Sequence, residues 1–145
     1  MRILIRGLAW VLLMLVGSSC FAQEVTVRVV DSNGHPLRKQ PVDVSLDDPA
    51  SLRLETDAKG EAHFTLPDPG SSRIAVNVGL AERDWKCACS VFTHAQDVIH
   101  EGRLVDLRTE SKKTADSLKP APGEILFIAH RMPFFMRLFW PLYAA

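Results

Sequence analysis

Thr56-Asp57-Ala58-Lys59-Gly60-Glu61-Ala62-His63-Phe64-Thr65-Leu66-Pro67 is a polar turn feeding an alternating run. From Glu61 to Leu66, the residues Ala62, Phe64 and Leu66 share one face and His63 and Thr65 the other, the two-residue period of a half-buried strand. The same period recurs on both sides of this stretch. Val25, Val27 and Val29 alternate with Thr26 and Arg28, and Asp31-Ser32-Asn33-Gly34 follows with turn chemistry. Val42, Val44 and Leu46 alternate with Asp43 and Ser45 up to Asp47-Asp48-Pro49, and Leu52 and Leu54 alternate with Arg53 and Glu55. The turn Asp57-Ala58-Lys59-Gly60 is then expected to close a hairpin with Gly60 at positive φ. A fifth strand runs from Arg73 to Leu80, with Ile74, Val76, Val78 and Leu80 inward. Short strands separated by regular turn signals predict an all-β fold, a small antiparallel β-sandwich, rather than alternating β and α units.

The second half changes character. Thr93-His94-Ala95-Gln96 has the spacing of a capping box and Gly102 the place of a stop, so His94 to Glu101 is expected as a short helix carrying Val98 and Ile99. A brief strand is expected over Leu104 to Leu107, and 108–123, rich in Ser, Lys, Thr and Pro, as an exposed loop. Ile125-Leu126-Phe127-Ile128 is a continuous apolar run, which fits a strand covered on both faces. From Pro133, the spacing of Phe135, Leu138, Phe139 and Leu142 predicts a last helix. The aromatic segment 132–145 is expected to fold back over an open end of the sandwich; the alternative is peripheral contact with a membrane.

The N-terminus reads as an export leader. Arg2 and Arg6 precede the apolar run Leu8 to Val16, about half the roughly 20 residues of a membrane-spanning helix, and small residues lead to Ala22. Cleavage between Ala22 and Gln23 is expected, leaving 23–145 as a single domain in the periplasm or secreted. Lipidation of Cys20 is the alternative, although Gly17 stands where a larger aliphatic residue is usual for lipoproteins. Lys plus Arg and Asp plus Glu number 17 each; losing Arg2 and Arg6 leaves 15 basic residues against 17 acidic, a net charge of −2. No long-range field therefore draws this chain to nucleic acid.

Two cysteines remain beyond the leader, Cys87 and Cys89. On an extended strand they would point the same way with Cα atoms roughly 6.6 Å apart, at the edge of what a disulfide spans. Three readings stay open: a simple, labile disulfide, buried inert thiols, or a redox or soft-metal pair with His94 or His100 as third ligand. Both histidines cannot serve together from one helix, because positions six apart lie about 240° round from each other. Asp47, Asp48, Glu55 and Asp57 are candidate calcium ligands if they gather at one end, and otherwise solvated turn carboxylates. His35, His63 and His130 stand isolated in the sequence. Neither Gly-x-Ser-x-Gly, His-Glu-x-x-His nor a phosphate-cradling glycine loop occurs, so no enzymatic activity and no cofactor is expected.

Val25 to Asp31, Gly34-His35-Pro36-Leu37, Val42-Asp43-Val44 and Thr56 to Gly60 with Phe64 together resemble the carboxypeptidase regulatory-like domain of exported bacterial proteins. The resemblance covers about residues 24–80 and implies an immunoglobulin-like or transthyretin-like sandwich, with one or two short helices in the remaining half. It implies a non-catalytic accessory or adhesion-type module. From its own residues the chain is expected to be an interaction module that displays loops such as Asp47 to Ser51 and Arg108 to Gly123 to an envelope protein or glycan partner. Transthyretin-like hydrolases share that sheet architecture but end in Tyr-Arg-Gly-Ser, whereas this chain ends Pro141-Leu142-Tyr143-Ala144-Ala145.

Overall fold

The computed structural model describes residues 22–47, 51–67, 70, 72–80, 85–87, 89–106 and 118–133. Along the chain these form β1 (Gln23–Asp31), β2 (Pro41–Ser45), β3 (Ser51–Glu55), β4 (Glu61–Leu66), β5 (Arg73–Val78), β6 (Trp85–Lys86), β7 (Ser90–His94), α1 (Ala95–Glu101), β8 (Arg103–Asp106) and β9 (Glu124–Arg131). A five-stranded sheet has the order β4-β1-β9-β6, with β8 also on β9, and a four-stranded sheet has the order β3-β2-β5-β7. The expected all-β sandwich is the fold. Its antiparallel character holds for the four-stranded sheet and for β1 with β4, whereas β9 runs parallel to both β1 and β8. The sequence offers no sign of this, since a parallel neighbour needs a long return connection and the run 108–123 is expected only as a loop.

Alternation fills the space between the sheets. Val25, Val27, Val29, Ala62, Phe64, Leu66, Ile125 and Phe127 from one sheet meet Val42, Val44, Ile74, Val76, Val78 and Val91 from the other, all buried. β9 is covered on both faces as its apolar run predicted: Leu126 and Ile128 form a second cluster with Val30 and Leu118 on the outer face. Leu118 is thus buried although it falls in the segment expected as an exposed loop, because the outer face of β9 is itself apolar and needs a lid. Arg28 and Glu124 tie β1 to β9 through a 2.6 Å Nε–Oε1 ion pair, and the second Glu124 oxygen accepts the Ala121 N–H at 2.7 Å.

The stretch from Thr56 departs from expectation in an informative way. Gly60 does take a positive φ, +75°, but the turn is not a hairpin: β3 pairs with β2 in one sheet and β4 with β1 in the other. Asp57 to Gly60 is the crossing between layers. Thr56, 2% exposed, anchors it by donating its hydroxyl to the Leu37 carbonyl at 2.7 Å and accepting the Gln40 N–H at 2.9 Å. Gly60 reaches back to β1, its carbonyl accepting the Val29 N–H at 2.8 Å.

Two strands were not foreseen, β6 and β7. Thr93 pairs with Ile74 inside β7, so the expected capping box does not form: His94 is the N-cap, in an extended conformation, with no side-chain cap bond. Competition from the β5 ladder claims the residues the box would need. The helix itself is Ala95–Glu101, with Ala95 and Val98 buried, and Gly102 at φ +72° ends it, its N–H donating to the Val98 carbonyl. The expected brief strand appears as β8. Among the described residues, no helix is long and apolar enough to cross a membrane. Residues 1–21, which hold most of the expected leader, residues 107–117 of the expected strand end and loop, and residues 134–145 lie outside the described residues, so the helix expected from Pro133 does too.

Candidate functional site

One end of the four-stranded sheet carries a groove. The ladder sets Ser45 beside Ala75 and Ala75 beside Phe92, a row across β2, β5 and β7. Val91 is buried in the core, so Phe92 must face outward, and it is 82% exposed. Asp47 is fixed at the far wall, where its Oδ2 accepts the Arg73 N–H at 3.0 Å. Leu46, Asp47, Arg73, Ala75, Phe92 and His94 line a cavity of about 320 Å³. A small apolar floor, an aromatic wall and a rim with one acid, one base and one imidazole suit binding by contact and hydrogen bonding. Sequence reasoning missed Phe92. The signal was Val91-Phe92-Thr93, a β-branched and aromatic triplet, which the helix reading of Thr93 to Gln96 obscured.

Cys87 and Cys89 lie between β6 and β7 rather than on one extended strand. Their Cα atoms stand 5.0 Å apart instead of the extended spacing, and the two sulfurs form a close pair. Once such a pair is oxidised each sulfur is spent on the other, and thiol or soft-metal chemistry with His94 or His100 would require reduction first.

The histidines isolated in the sequence each meet a carboxylate in space. His35 Nδ1 lies 3.1 Å from Asp31 Oδ2, and His130 Nε2 lies 2.6 Å from Asp106 Oδ1 in a largely buried pair joining β9 and β8. His63 Nδ1 is 3.1 Å from Thr26 Oγ1 and 3.3 Å from Glu24 Oε1, and its Nε2 is 3.7 Å from Glu61 Oε2. Asp57, Glu61 and His63 bring one ligand atom each within 4.8 Å on the exposed side of β4. The four-carboxylate calcium site does not assemble. Antiparallel pairing of Pro41 with Glu55 and Ser45 with Ser51 sends Asp47 to one end of β2 and Glu55 and Asp57 to the other, while Asp48 lies outside the described residues.

Asp57 has a structural task instead. Its Oδ1 accepts the N–H of Lys59 at 2.8 Å and of Glu61 at 3.0 Å, and Asp31 Oδ1 does the same for Asn33 and His35, both at 2.8 Å. Asp31-Ser32-Asn33-Gly34-His35 and Asp57-Ala58-Lys59-Gly60-Glu61 are one turn used twice, each with glycine at positive φ in the fourth place. The N–H of Glu61 and then of Lys59 hold the Asp57 carboxyl below its usual pKa. Burial acts most strongly on Asp31 and raises it, but the His35 N–H, the His35 ring and the Asn33 N–H together outweigh burial and leave it lowered.

Comparison with known families supplies the next constraint. Residues 22–91 match the macroglobulin domain MG4. MG4 is a non-catalytic immunoglobulin-like sandwich, so the likeness supports that fold without singling out the carboxypeptidase regulatory-like or transthyretin-like variety. The matched stretch stops inside β7 and leaves out α1, β8 and β9. Neither a curated protein nor a solved structure matches the chain.

Proposed function

We propose that this protein is an exported, non-catalytic accessory module that works at the cell envelope by binding a protein or glycan partner through the groove at Phe92. The single observation behind this reading is the 82% exposure of Phe92 beside a groove with an apolar floor, since aromatic residues are enriched at interfaces and a concave apolar floor beside the ring gives a partner something to bury. Likeness to a non-catalytic domain supports the accessory role. Export is supported by the leader-like residues 1–22, and the expected cleavage point falls immediately before Gln23, the first residue of β1, so that removing the leader would spare the strand. The turn signature shared with carboxypeptidase regulatory-like domains fits the same accessory role.

The test is site-specific photocrosslinking in the envelope of the protein's own cells. A crosslinkable residue at position 92 is expected to form a discrete adduct, and one at Arg53, on the opposite edge of the same sheet, is not. Equal labelling at both positions, or no adduct at 92, would reject the groove as the contact surface.

A further inference from the structure

Among the described residues the four-stranded sheet has two free edges, β3 and β7, and the other sheet ends on β4 at one side and β6 and β8 at the other. Exposed edges invite pairing with another chain, and proteins commonly guard them with charge. β3 carries Arg53 and Glu55, β4 carries Glu61, and β8 carries Arg103 and Asp106. β7, Ser90-Val91-Phe92-Thr93-His94, holds neither Lys, Arg, Asp, Glu nor Pro. β6 carries Lys86, so among the described edges β7 alone is unguarded.

The backbone of β7 is also oriented for pairing. Val78 N–H donates to the Cys89 carbonyl and Ala95 N–H to the Ser72 carbonyl, so residues 89, 91, 93 and 95 turn their polar groups toward β5. Ser90, Phe92 and His94 therefore turn theirs to the free edge. Phe92 is the middle residue of the strand. Following β7, α1 turns inward, with Ala95 and Val98 buried and contacts to β9 in the opposite sheet, and so leaves the edge clear.

Resting on the reading of Phe92 as a contact residue, we propose that the partner is a second copy of this chain: two β7 strands pair antiparallel about a twofold axis at Phe92, making one eight-stranded sheet. On that axis Phe92 and its symmetry mate exchange both N–H and C=O bonds, and Ser90 lies opposite His94. The His94 carbonyl serves the start of α1, so its N–H, donating to the mate's Ser90 carbonyl, is the flanking link. A residue on a twofold axis meets itself, so a charge there repels its own copy. Phe92 meets an identical ring, and aromatic pairs across strands are favourable. The equivalent centre of β3 is Arg53, which would face another arginine. This contrast selects β7 as the self-pairing edge.

Sedimentation velocity of the purified full chain is expected to show a dimer at micromolar concentration. Phe92→Asp, at a side chain that lies in water in the monomer, is expected to keep the monomer's circular dichroism spectrum and weaken association by about tenfold or more, while Arg53→Asp leaves the dimer intact. Paired residues of this type place Cα atoms about 5.5 Å apart, within disulfide reach. Phe92→Cys should therefore link to itself on mild oxidation, and Ser90→Cys should link only to His94→Cys in a mixture of the two. A monomer at every concentration, a dimer indifferent to Phe92→Asp, or self-linking of Ser90→Cys as efficient as that of Phe92→Cys overturns the proposal. If the protein is monomeric but position 92 still crosslinks to a different molecule in the envelope, self-pairing is rejected while the binding groove survives. Loss of both rejects the groove as well.

Discussion

Replacing Gly60 by alanine tests the crossing between layers, because the chain supplies its own control. Gly34 and Gly60 occupy the same place in the repeated turn, at φ +85° and +75°. An alanine at either pays the left-handed penalty of about 1–2 kcal/mol and recovers about 0.4–1 kcal/mol from the less flexible unfolded chain. The surroundings differ. A β-carbon at Gly34 would meet only the Leu118 Cδ2 at 3.2 Å, the far end of a side chain that can rotate. At Gly60 it would lie 2.6 Å from the Val29 carbonyl oxygen, with the Leu37 N at 3.2 Å, and both are backbone atoms bonded to each other. Relieving that clash means moving β1 or the turn, an overpacking cost of about 1–3 kcal/mol. Gly34→Ala is thus expected to cost about 1 kcal/mol and Gly60→Ala about 2–4 kcal/mol. At about 4 °C per kcal/mol for a domain of this size, the melting temperatures should fall by about 4 °C and about 8–16 °C. Urea unfolding followed by circular dichroism provides the free energies, with unchanged m-values if both variants keep the fold. Equal costs for the two variants would refute the close approach of the Thr56–Gly60 crossing to β1.

Acid should weaken the protein through the two turn aspartates. Both carboxyls have lowered pKa values, so the stability they contribute is fully present above the ordinary carboxylate range near pH 4 and is lost as pH falls through their lower folded-state values. Asp31→Asn with Asp57→Asn should flatten melting temperature against pH between about 4 and 2, and an undiminished acid limb would assign the loss to other groups. Phe127→Ala empties a fully buried site on the central strand of its sheet and is expected to cost about 3–5 kcal/mol in the same urea assay. A fragment of residues 22–91, the stretch similar to MG4, should by the same reasoning lack native circular dichroism, because it leaves β1 without β9.

Four strands of the first half were legible because they set a dry face against a wet one, and the two-residue period then reports burial directly; β3 kept the period although none of its residues is buried. β2, β4 and β5 follow it residue by residue, and β1 does so as far as Val29, after which Val30 is buried as well, in the outer cluster. The pairing of those strands was not legible. An Asp-x-x-Gly turn between alternating runs looks the same whether it folds β4 back on β3 or carries it across to the other sheet. What decides is the tie between Gly60 and Val29 and the buried hydroxyl of Thr56, contacts to residues far away in the chain. β6 and β7 escaped for a related reason: two short strands around a close cysteine pair show too few alternations to reveal a period.

A binding edge is harder still to read, because its defining property is a missing neighbour. Val91-Phe92-Thr93 would be unremarkable in the middle of a sheet, where Phe92 would be packed by the next strand. Its meaning comes from the order β3-β2-β5-β7, which leaves β7 last, and from the ladder parity that turns the polar groups of Phe92 outward. Placement of β9 has the same logic. Its run Ile125 to Ile128 has no wet face, so it had to become an interior strand, and taking that place beside β1 fixed β4 as one margin of its sheet while β6 and β8 divide the other. Charge at the margins of that sheet and on β3 keeps those edges single. The chain thus limits where a second strand can add to the one margin whose residues carry no charge to repel it.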